Sequence, residues 1–349
     1  MTRNGRLIAA VVTQARSGSC CKMPGMKLPS RISLAHLPTP LEPLPRLSAH
    51  LGGAEIWIKR DDQTGLAGGG NKTRKLEYLL ADALAQHKRT LMTGGAAQSN
   101  HCRQTAAAAA RVGLRCVVVL RGEPPAKLTG NILLDDLLGA EIVWTRGESR
   151  AAVMEATRAR EEAAGNEPYF IPIGGSNRIG ASAYAAAVQE LAGQLPGAGL
   201  DRFSRLCFAS SSGGTHAGLA VGAQAVMPTT EVLGFSVDEP LAELQANVAM
   251  IATDTAELLG LPFTFKPADI AANADYIGAG YAIMGDRERE TIRLLARLEG
   301  ILVDPVYTGK AFGGLIDLVR GGVIGRDERV LFWHTGGQPA LFAYADQLV

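Results

Sequence analysis

The chain has 349 residues, of which 47% are hydrophobic and 20% charged, so it has an ordinary globular composition and enough length for two hydrophobic cores. Its formal net charge of +1 excludes the strongly basic character that is typical of nucleic-acid-binding proteins. Aromatic residues make up only 5%, and no apolar run approaches the roughly 20 residues of a membrane span. We therefore expect no nucleic-acid partner and no membrane partner.

The N-terminus begins with a basic stretch and one short apolar patch at residues 7–12. The patch is too short for the apolar region of a secretory signal, and polar residues follow it. We predict that residues 1–27 form a disordered extension, or that the true start is Met23 or Met26. A weak targeting peptide is the alternative.

The cysteines indicate the redox compartment. Their number is odd and no two of them form a CxxC pair, so neither a disulfide framework nor a zinc site is expected of Cys20, Cys21, Cys102, Cys116 and Cys207. We predict reduced thiols and a cytoplasmic protein.

From about residue 54, short apolar strands alternate with helical segments. In chain order the predicted strands are EIWIKRDD, TLMTGG, RCVVVLRG, EIVWT, PYFIPIGG, RLCFASS, EVLGFSV and RVLFWHTGG. The predicted helices between them are residues 76–85, NHCRQTAAAAARVG, TGNILLDDLLGA, residues 149–164, GASAYAAAVQELAGQL, a run from Thr215, and DRERETIRLLARLEG. This alternation predicts an α/β fold with parallel sheets that are flanked by helices on both faces.

The number of strand–helix units suggests two sheets and hence two domains. We predict a small domain at residues 81–195, inserted into a large domain formed by residues 28–80 and 196–349. Ligands of such sheets bind beyond the carboxyl ends of the strands. The turns that follow the strands are therefore the places to search for a site.

Lys72 lies in the turn GGGNKTRK, where glycines lead directly into a helix. Glycines allow other groups to approach closely, and a helix N-terminus disfavours a nearby ammonium, which lowers its pKa. A surface lysine is the simple alternative. A neutral amine in such a turn could act as a nucleophile.

Two further turns carry polar side chains. The stretch ASSSGGTHAGLAVG follows a strand and offers a row of backbone N–H groups at a helix start, with Ser212 or Thr215 as its cap, which suits a phosphate. The stretch QSNHCRQTAA offers Ser99 or Asn100 as a helix cap and donors for a carboxylate. A lysine of lowered pKa together with a phosphate cradle suggests a Schiff base to pyridoxal phosphate.

Other chemistries have less support. His101, His216 and His334 adjoin these turns, but no carboxylate joins them at ligand spacing, so we expect no metal. Asp61, Asp62 and Asp304 could form an acid pair; we expect instead that they are solvated carboxylates at turns or strand ends.

Longer motifs show a family resemblance. Residues 30–347 contain PTPLEPLPRLS, IWIKRDD, GGNKTRKLE, QSNHCRQTAA, IPIGGSN, SSGGTHAGL, LEGILVDPVYTGKA and WHTGGQPALFAY. Together they resemble the fold-type-II pyridoxal-phosphate enzymes, a two-domain fold like that of the tryptophan synthase β subunit. Within these enzymes the chain resembles the group of D-cysteine desulfhydrase, L-cysteate sulfo-lyase and 1-aminocyclopropane-1-carboxylate deaminase.

The resemblance implies a role for particular residues. Lys72 would hold the cofactor covalently, with Tyr281 and Tyr307 as further catalytic residues on the substrate face. The remaining cofactor contacts would come from Asn100, Ser211, Ser212, Gly213, Gly214, Thr215 and Thr335. The substrate would be bound by Gln98, Ser99, Asn100 and Thr308.

Two positions separate the activities of this group. Ring-opening members have a glutamate after the tyrosine of DPVY and a leucine in the HTGG motif, whereas this chain has Thr308 and Thr335. A threonine hydroxyl leaves the pyridine nitrogen of the cofactor neutral, so the cofactor ring is a weaker electron sink. A weaker sink still suffices for elimination when a good leaving group departs. The resemblance therefore implies a D-cysteine desulfhydrase-like branch.

The expected activity is elimination from D-cysteine to give pyruvate, ammonia and hydrogen sulfide. The alternatives are an L-cysteate sulfo-lyase that releases sulfite, and an aminocyclopropane carboxylate deaminase. Because GYAIMGD and RGEPPAKLTGN depart from the patterns of the group, a cofactor-carrying amino-acid-binding protein without catalysis is a third alternative. The resemblance also implies a homodimer.

Overall fold

The computed structural model describes residues 25–348 and contains two sheets. In chain order the strands are β1 (Leu41–Pro43), β2 (Glu55–Arg60), β3 (Thr90–Ala96), β4 (Arg115–Arg121), β5 (Glu141–Trp144), β6 (Pro168–Phe170), β7 (Arg205–Ser210), β8 (Glu231–Ser236), β9 (Ala272–Asn273) and β10 (Arg329–His334). The larger sheet has the order β1-β2-β10-β7-β8-β9, and the smaller one has the order β5-β4-β3-β6. All neighbouring strands are parallel except β1, which runs antiparallel to β2.

The helices cover the sheets as predicted for an α/β fold. Over the described residues the α-helices are α1 (Pro45–Leu51), α2 (Lys72–Ala85), α3 (Asn100–Val112), α4 (Gly130–Leu137), α5 (Arg150–Ala163), α6 (Arg178–Gln194), α7 (Gly214–Val226), α8 (Leu241–Leu258), α9 (Asp286–Glu299), α10 (Thr308–Arg320) and α11 (Ala345–Leu348). The α/β class with parallel sheets flanked by helices is thereby confirmed.

Most predicted elements are present within a few residues of their expected bounds, but two long helices were not predicted. Helix α8 carries Leu241 and Met250 on its exposed side as well as a buried apolar face, so its helical period is weak. Helix α10 begins inside the turn DPVYTGK, whose proline and glycine suggest a loop. Its start is fixed by a side chain of the preceding turn, because Asp304 Oδ1 accepts the backbone N–H of Thr308 at 2.8 Å.

Each sheet has its own apolar core. Ile58, Phe312 and Phe332 belong to a core on the larger sheet, whereas Leu79 and Leu120 belong to one on the smaller sheet. Helix α6 lies in the range predicted for the small domain, yet it packs against α2 and α7. The proposed domain boundaries at residues 28–80, 81–195 and 196–349 therefore stay a prediction.

The N-terminal prediction falls mostly outside the described residues, because residues 1–24 are not among them. Cys20, Cys21 and Met23 lie in that part. Residues 25–27 are described: Met26 packs against the core beside α8, and the backbone N–H of Lys27 donates to the carbonyl of Leu259 at 3.0 Å.

No helix of residues 25–348 is both long and apolar enough to cross a bilayer. Cys102, Cys116 and Cys207 are buried free thiols, and burial raises the pKa of each.

A buried network of charged side chains joins β2, α2 and α6. Asp61 is completely buried and accepts hydrogen bonds from Arg74 Nε and Nη2, both at 2.9 Å, and from the Tyr184 hydroxyl at 2.6 Å. Glu190 accepts from Arg74 Nη1 at 2.9 Å and from Lys59 Nζ at 2.6 Å. Each buried charge thus has an opposite charge and several hydrogen bonds.

The expectation that Asp61, Asp62 and Asp304 are solvated is therefore wrong. Asp61 and Asp304 are fully buried, and Asp62 is 8% exposed and bound by the guanidinium of Arg60. Burial alone would raise the pKa of Asp61, but the charge and hydrogen bonds of Arg74 outweigh it and hold that pKa below its usual range.

Breaking the network should strongly destabilise the fold. Asp61→Asn removes the charge that faces Arg74 and should lower the free energy of unfolding by about 3–5 kcal/mol, the usual cost of removing one partner of a buried ion pair. Guanidinium unfolding would measure it. Arg158→Ala is the control, because Arg158 pairs with Glu155 and Glu162 at an exposed position and should leave the unfolding midpoint unchanged. Equal effects of the two substitutions would contradict the importance of the buried network.

Candidate active site

A cavity of about 550 Å³ opens at the carboxyl ends of strands from both sheets. It lies where ligands of parallel α/β sheets bind. Most of the predicted site residues line it: Lys72, Ser99, Asn100, Ser211, Ser212, Gly213, Thr215, Tyr281, Tyr307 and Thr335. Residues more than 250 positions apart in the chain, such as Lys72 and Thr335, thus line the same cavity.

The glycine turn before Lys72 is required by close packing. Gly69 and Gly70 have φ values of 69° and 123°, which other residues rarely adopt. A Cβ on Gly69 would lie 2.0 Å from the carbonyl oxygen of Asp62, and one on Gly70 would lie 2.5 Å from Gln104 Nε2. The turn therefore fits tightly beneath Lys72, the first residue of α2.

Lys72 is a partly exposed lysine on the cavity wall, and its Nζ donates to Asn71 Oδ1 at 3.0 Å. Removal from water and the nearby charge of Arg103 lower the pKa of Lys72 to about 8, although Asp304 acts in the opposite direction. From the sequence we expected a lowered pKa for Lys72 because of the helix N-terminus. The structure shows that burial and the charge of Arg103 are the main causes.

The predicted phosphate cradle follows β7. Gly213 has a φ of 82° and is the residue before the first turn of α7, so the cap is neither Ser212 nor Thr215 as the sequence suggested. Ser212 Oγ lies 2.8 Å from Ser176 Oγ, which accepts the backbone N–H of Gly214 at 3.1 Å. Gly214 is buried behind the cradle and, unlike its neighbours, does not line the cavity.

Lys75 is a buried lysine behind this cradle to which the sequence analysis assigned no role. It is 1% exposed, and its Nζ donates to the carbonyl of Gly174 at 3.0 Å. A Cβ on Gly214 would lie only 3.0 Å from that Nζ. Burial and the charge of Lys72 lower its pKa well below the usual range, and no carboxylate offsets them. Its place behind a row of serines and N–H groups fits a phosphate dianion.

Asn71 joins the turn of Lys72 to the phosphate cradle and to the segment that follows β10. Its Nδ2 donates to Thr215 Oγ1 at 3.0 Å, and its backbone N–H donates to the carbonyl of Thr335 at 2.9 Å. The sequence analysis did not assign Asn71 a role, although its position next to Lys72 could have indicated one.

The start of α3 forms the next part of the wall. Ser99 is the N-cap, and its Oγ accepts the backbone N–H of Cys102 at 3.2 Å, as one of the two sequence alternatives predicted. Asn100 lines the cavity, and its Oδ1 accepts from Asn131 Nδ2 at 2.9 Å. A helix N-terminus with free donors attracts a carboxylate.

Two predicted substrate residues do not reach the cavity wall. Gln98 is bound to the start of α4, because its Nε2 donates to the carbonyl of Thr129 at 3.0 Å and its Oε1 accepts from Asn131 N at 2.8 Å. Thr308 is fully buried, and its hydroxyl donates to Asp304 Oδ1 at 2.7 Å. Their roles as substrate ligands therefore depend on the resemblance alone.

Tyr281 and Tyr307 also line the cavity and contact each other. Their hydroxyl oxygens are 2.6 Å apart, and their rings pack edge to face with centroids 5.9 Å apart. Burial raises the pKa of Tyr281 to about 12 and holds that of Tyr307 well above its usual range. Both hydroxyls therefore keep their protons at neutral pH.

Asp238 is a carboxylate in the cavity that the sequence analysis missed. Its Oδ2 accepts from Ser211 Oγ at 2.6 Å, and burial raises its pKa. His101 and His216 also line the cavity, and burial lowers the pKa of His216 to about 4 and that of His101 well below its usual range. Residues 25–348 contain no group of three or more metal-ligating side chains.

The chain is similar to known proteins over nearly its whole length. A family model described as "Pyridoxal-phosphate dependent enzyme" matches residues 32–336. A D-cysteine desulfhydrase of Yersinia enterocolitica is 48% identical over 324 residues, 91% of this chain and 97% of that protein. One from Salmonella choleraesuis is 47% identical over 322 residues, 90% of this chain and 96% of that protein. A crystal structure described as an ACC deaminase homologue has a TM-score of 0.84 at 37% identity, covering 100% of this chain and 99% of that one.

The lowered pKa of Lys72 can be measured on the cofactor-free protein. Only a neutral amine is acylated, so competitive labelling with an amine-specific reagent and peptide mass spectrometry should give a midpoint near pH 8 for Lys72. A lysine in a model peptide titrates near pH 10.4 and serves as the reference. Arg103→Gln removes a neighbouring positive charge and should move the midpoint upward. A midpoint near 10 in the unsubstituted protein would contradict the assignment.

Proposed function

Because the chain belongs to the pyridoxal-phosphate-dependent enzymes, we propose that it is a carbon–sulfur lyase that converts D-cysteine and water to pyruvate, ammonia and hydrogen sulfide. The observation that carries the proposal is the position of Lys72, whose pKa is lowered to about 8, in one cavity with the serine cradle and the tyrosine pair. Relatives of nearly equal length that are 47–48% identical and named D-cysteine desulfhydrase support the substrate.

The cavity fits pyridoxal phosphate, the cofactor of the family. Ser211, Ser212, Gly213 and Thr215 would hold its phosphate, with the charge of Lys75 behind them. Lys72 would hold its carbonyl carbon, while Asn100 and Thr335 line the space for its ring. When bound, the cofactor supplies an electron-withdrawing ring that accepts the electron pair left on the substrate's Cα.

Lys72 is the base that the geometry favours for removing the Cα proton. Its pKa of about 8 leaves a useful fraction of neutral amine at neutral pH, and Nζ can then accept a proton. Tyr281 and Tyr307, by contrast, stay protonated because burial raises their pKa values. They suit proton donation to the departing sulfur better than proton removal.

The substrate's carboxylate would bind at the N-terminus of α3. Ser99 and Asn100 line the cavity there, and the helix dipole favours a negative charge. Tyr281 and Tyr307 line the same cavity and would be available to the substrate side chain.

Thr308 supports a sulfur-containing substrate over the cyclopropane amino acid. Ring-opening members of the group carry a glutamate at this position, whereas the hydroxyl of Thr308 is bound to Asp304 and adds no charge near the cavity. A neutral pyridine nitrogen is a weaker electron sink, which suffices when sulfide leaves.

We also propose that the protein is cytoplasmic and homodimeric. The buried free thiols of Cys102, Cys116 and Cys207 suit a reducing compartment. Leu137 on α4 is 70% exposed, and Phe342, on the segment Gln338–Tyr344 that packs against α4, is 74% exposed. Exposed apolar side chains on two segments that pack against each other favour contact with a second copy.

Product release by the pyridoxal-loaded protein tests the activity. D-Cysteine should give pyruvate and sulfide, while L-cysteine, L-cysteate and aminocyclopropane carboxylate should give far less product. Lys72→Ala should abolish turnover because no other residue would hold the cofactor's carbonyl carbon. Sulfite from L-cysteate or 2-oxobutyrate from the cyclopropane substrate as main product would contradict the proposed substrate. Binding of all four compounds without any product would indicate an amino-acid-binding protein.

Sedimentation of the loaded protein tests the assembly. The unsubstituted chain should sediment as a dimer, and Leu137→Glu together with Phe342→Glu should shift it toward monomer, because charges would enter an apolar contact. Glu123→Gln, a change at an exposed position in the same half of the chain as Leu137, is the control. A monomeric unsubstituted protein would refute the homodimer, and a dimer insensitive to both changes would place its contact elsewhere.

A further inference from the structure

Tyr281 lies on a loop of strained backbone, residues 276–284. Gly278, Gly280 and Ala282 all have positive φ values, of 67°, 133° and 61°. Alanine seldom adopts such a conformation, so the surrounding structure must impose it. In the described part of the chain, the loop's residues make a single backbone–backbone hydrogen bond, from Ile283 N to the carbonyl of Gly280 at 3.4 Å. Side chains from other elements must therefore hold the loop.

Lys310 supplies the main contacts. It is the third residue of α10 and is fully buried. Its Nζ donates to the carbonyl of Ile277 at 2.5 Å and to that of Gly280 at 2.7 Å. Because Tyr307 immediately precedes α10, one short segment carries both Tyr307 and the ammonium that binds the loop of Tyr281.

Carboxylates around Lys310 offset its charge. Burial lowers the pKa of Lys310, while the charges of Glu288, Asp238 and Asp304 act against that effect. Glu288 also accepts the backbone N–H of Gly285 at the end of the loop. A charged donor between two carbonyls makes stronger hydrogen bonds than a neutral one, which explains a lysine in this buried position.

The hydroxyl of Tyr344 makes a second contact with the loop. It donates to the carbonyl of Ala282 at 2.7 Å. Lys310 and Tyr344 thus bind carbonyls on the two sides of Tyr281. The phenol is held where its oxygen lies 2.6 Å from that of Tyr307.

We propose that Lys310 is a positioning residue of the lyase: by binding the carbonyls of Ile277 and Gly280, it holds the Tyr281 hydroxyl against that of Tyr307 on the cavity wall. The catalytic consequence rests on the proposed function, whereas the effect on the loop does not. Methionine has a similar length but donates no hydrogen bond. Lys310→Met would leave both carbonyls unpaired and release the loop.

A double-mutant cycle on the pyridoxal-loaded protein tests the catalytic part. With D-cysteine, Lys310→Met should lower kcat on the order of 100-fold, as misplacing a catalytic group does, while the cofactor absorbance is retained. In a Tyr281→Phe background the same change should lower kcat by less than about threefold, because Lys310 acts through Tyr281. Lys266→Met, at an exposed position, is the matched control. The proposal would be overturned if Lys310→Met lowered kcat by the same factor in both backgrounds. An unchanged kcat in Lys310→Met alone would also overturn it.

Limited proteolysis tests the effect on the loop without turnover. Lys310→Met should speed chymotryptic cleavage after Tyr276 or Tyr281, within residues 276–284, by at least about tenfold, and Lys266→Met should not. If the methionine variant does not fold, Lys310→Gln, a neutral donor, takes its place in both experiments. A loop that is cleaved at the unsubstituted rate would overturn the proposal. Absence of product from the unsubstituted protein would refute the proposed function, and the proteolysis result would still decide the role of Lys310.

Discussion

A buried ion network fixes the helix on which the site depends. Arg74 lies two residues beyond Lys72 on α2, and it is bound by Asp61 at the end of β2 and by Glu190 on α6. The helix therefore cannot rotate or slide without breaking several charge-assisted hydrogen bonds inside the protein. Since Lys72 is the first residue of that helix, its amine keeps one position relative to the larger sheet and to α6.

The same helix creates the electrostatics of the cavity. Lys72 and Lys75 lie about one helical turn apart, and burial lowers the pKa values of both. Their surroundings separate their roles. Lys72 reaches the open cavity beside Asn71, which suits an amine that must react. Lys75 lies behind the cradle of serines and N–H groups, where a bound phosphate dianion would supply the counter-charge that favours its protonated form.

The sequence could predict features that depend on local pattern. Buried parallel strands appear as continuous apolar runs, and the glycine turn before Lys72 is visible because only glycine fits such close packing. Arg74 and Lys75 resemble surface charges of an ordinary helix, so their burial could not be predicted without knowing how α2 packs. Gln98 was assigned to the substrate by the family resemblance, but its side-chain oxygen accepts the backbone N–H of Asn131, 33 residues later, instead.

Identifying the residue that carries the cofactor is the most direct test of this arrangement. Borohydride reduction of the pyridoxal-loaded protein, followed by peptide mass spectrometry, would fix the pyridoxyl group on the lysine that holds it. The geometry predicts modification of Lys72 alone, with Lys75 unmodified although it lies in the same peptide region. Modification of Lys75, or of no lysine in α2, would contradict the assignment of the cavity and with it the proposed mechanism.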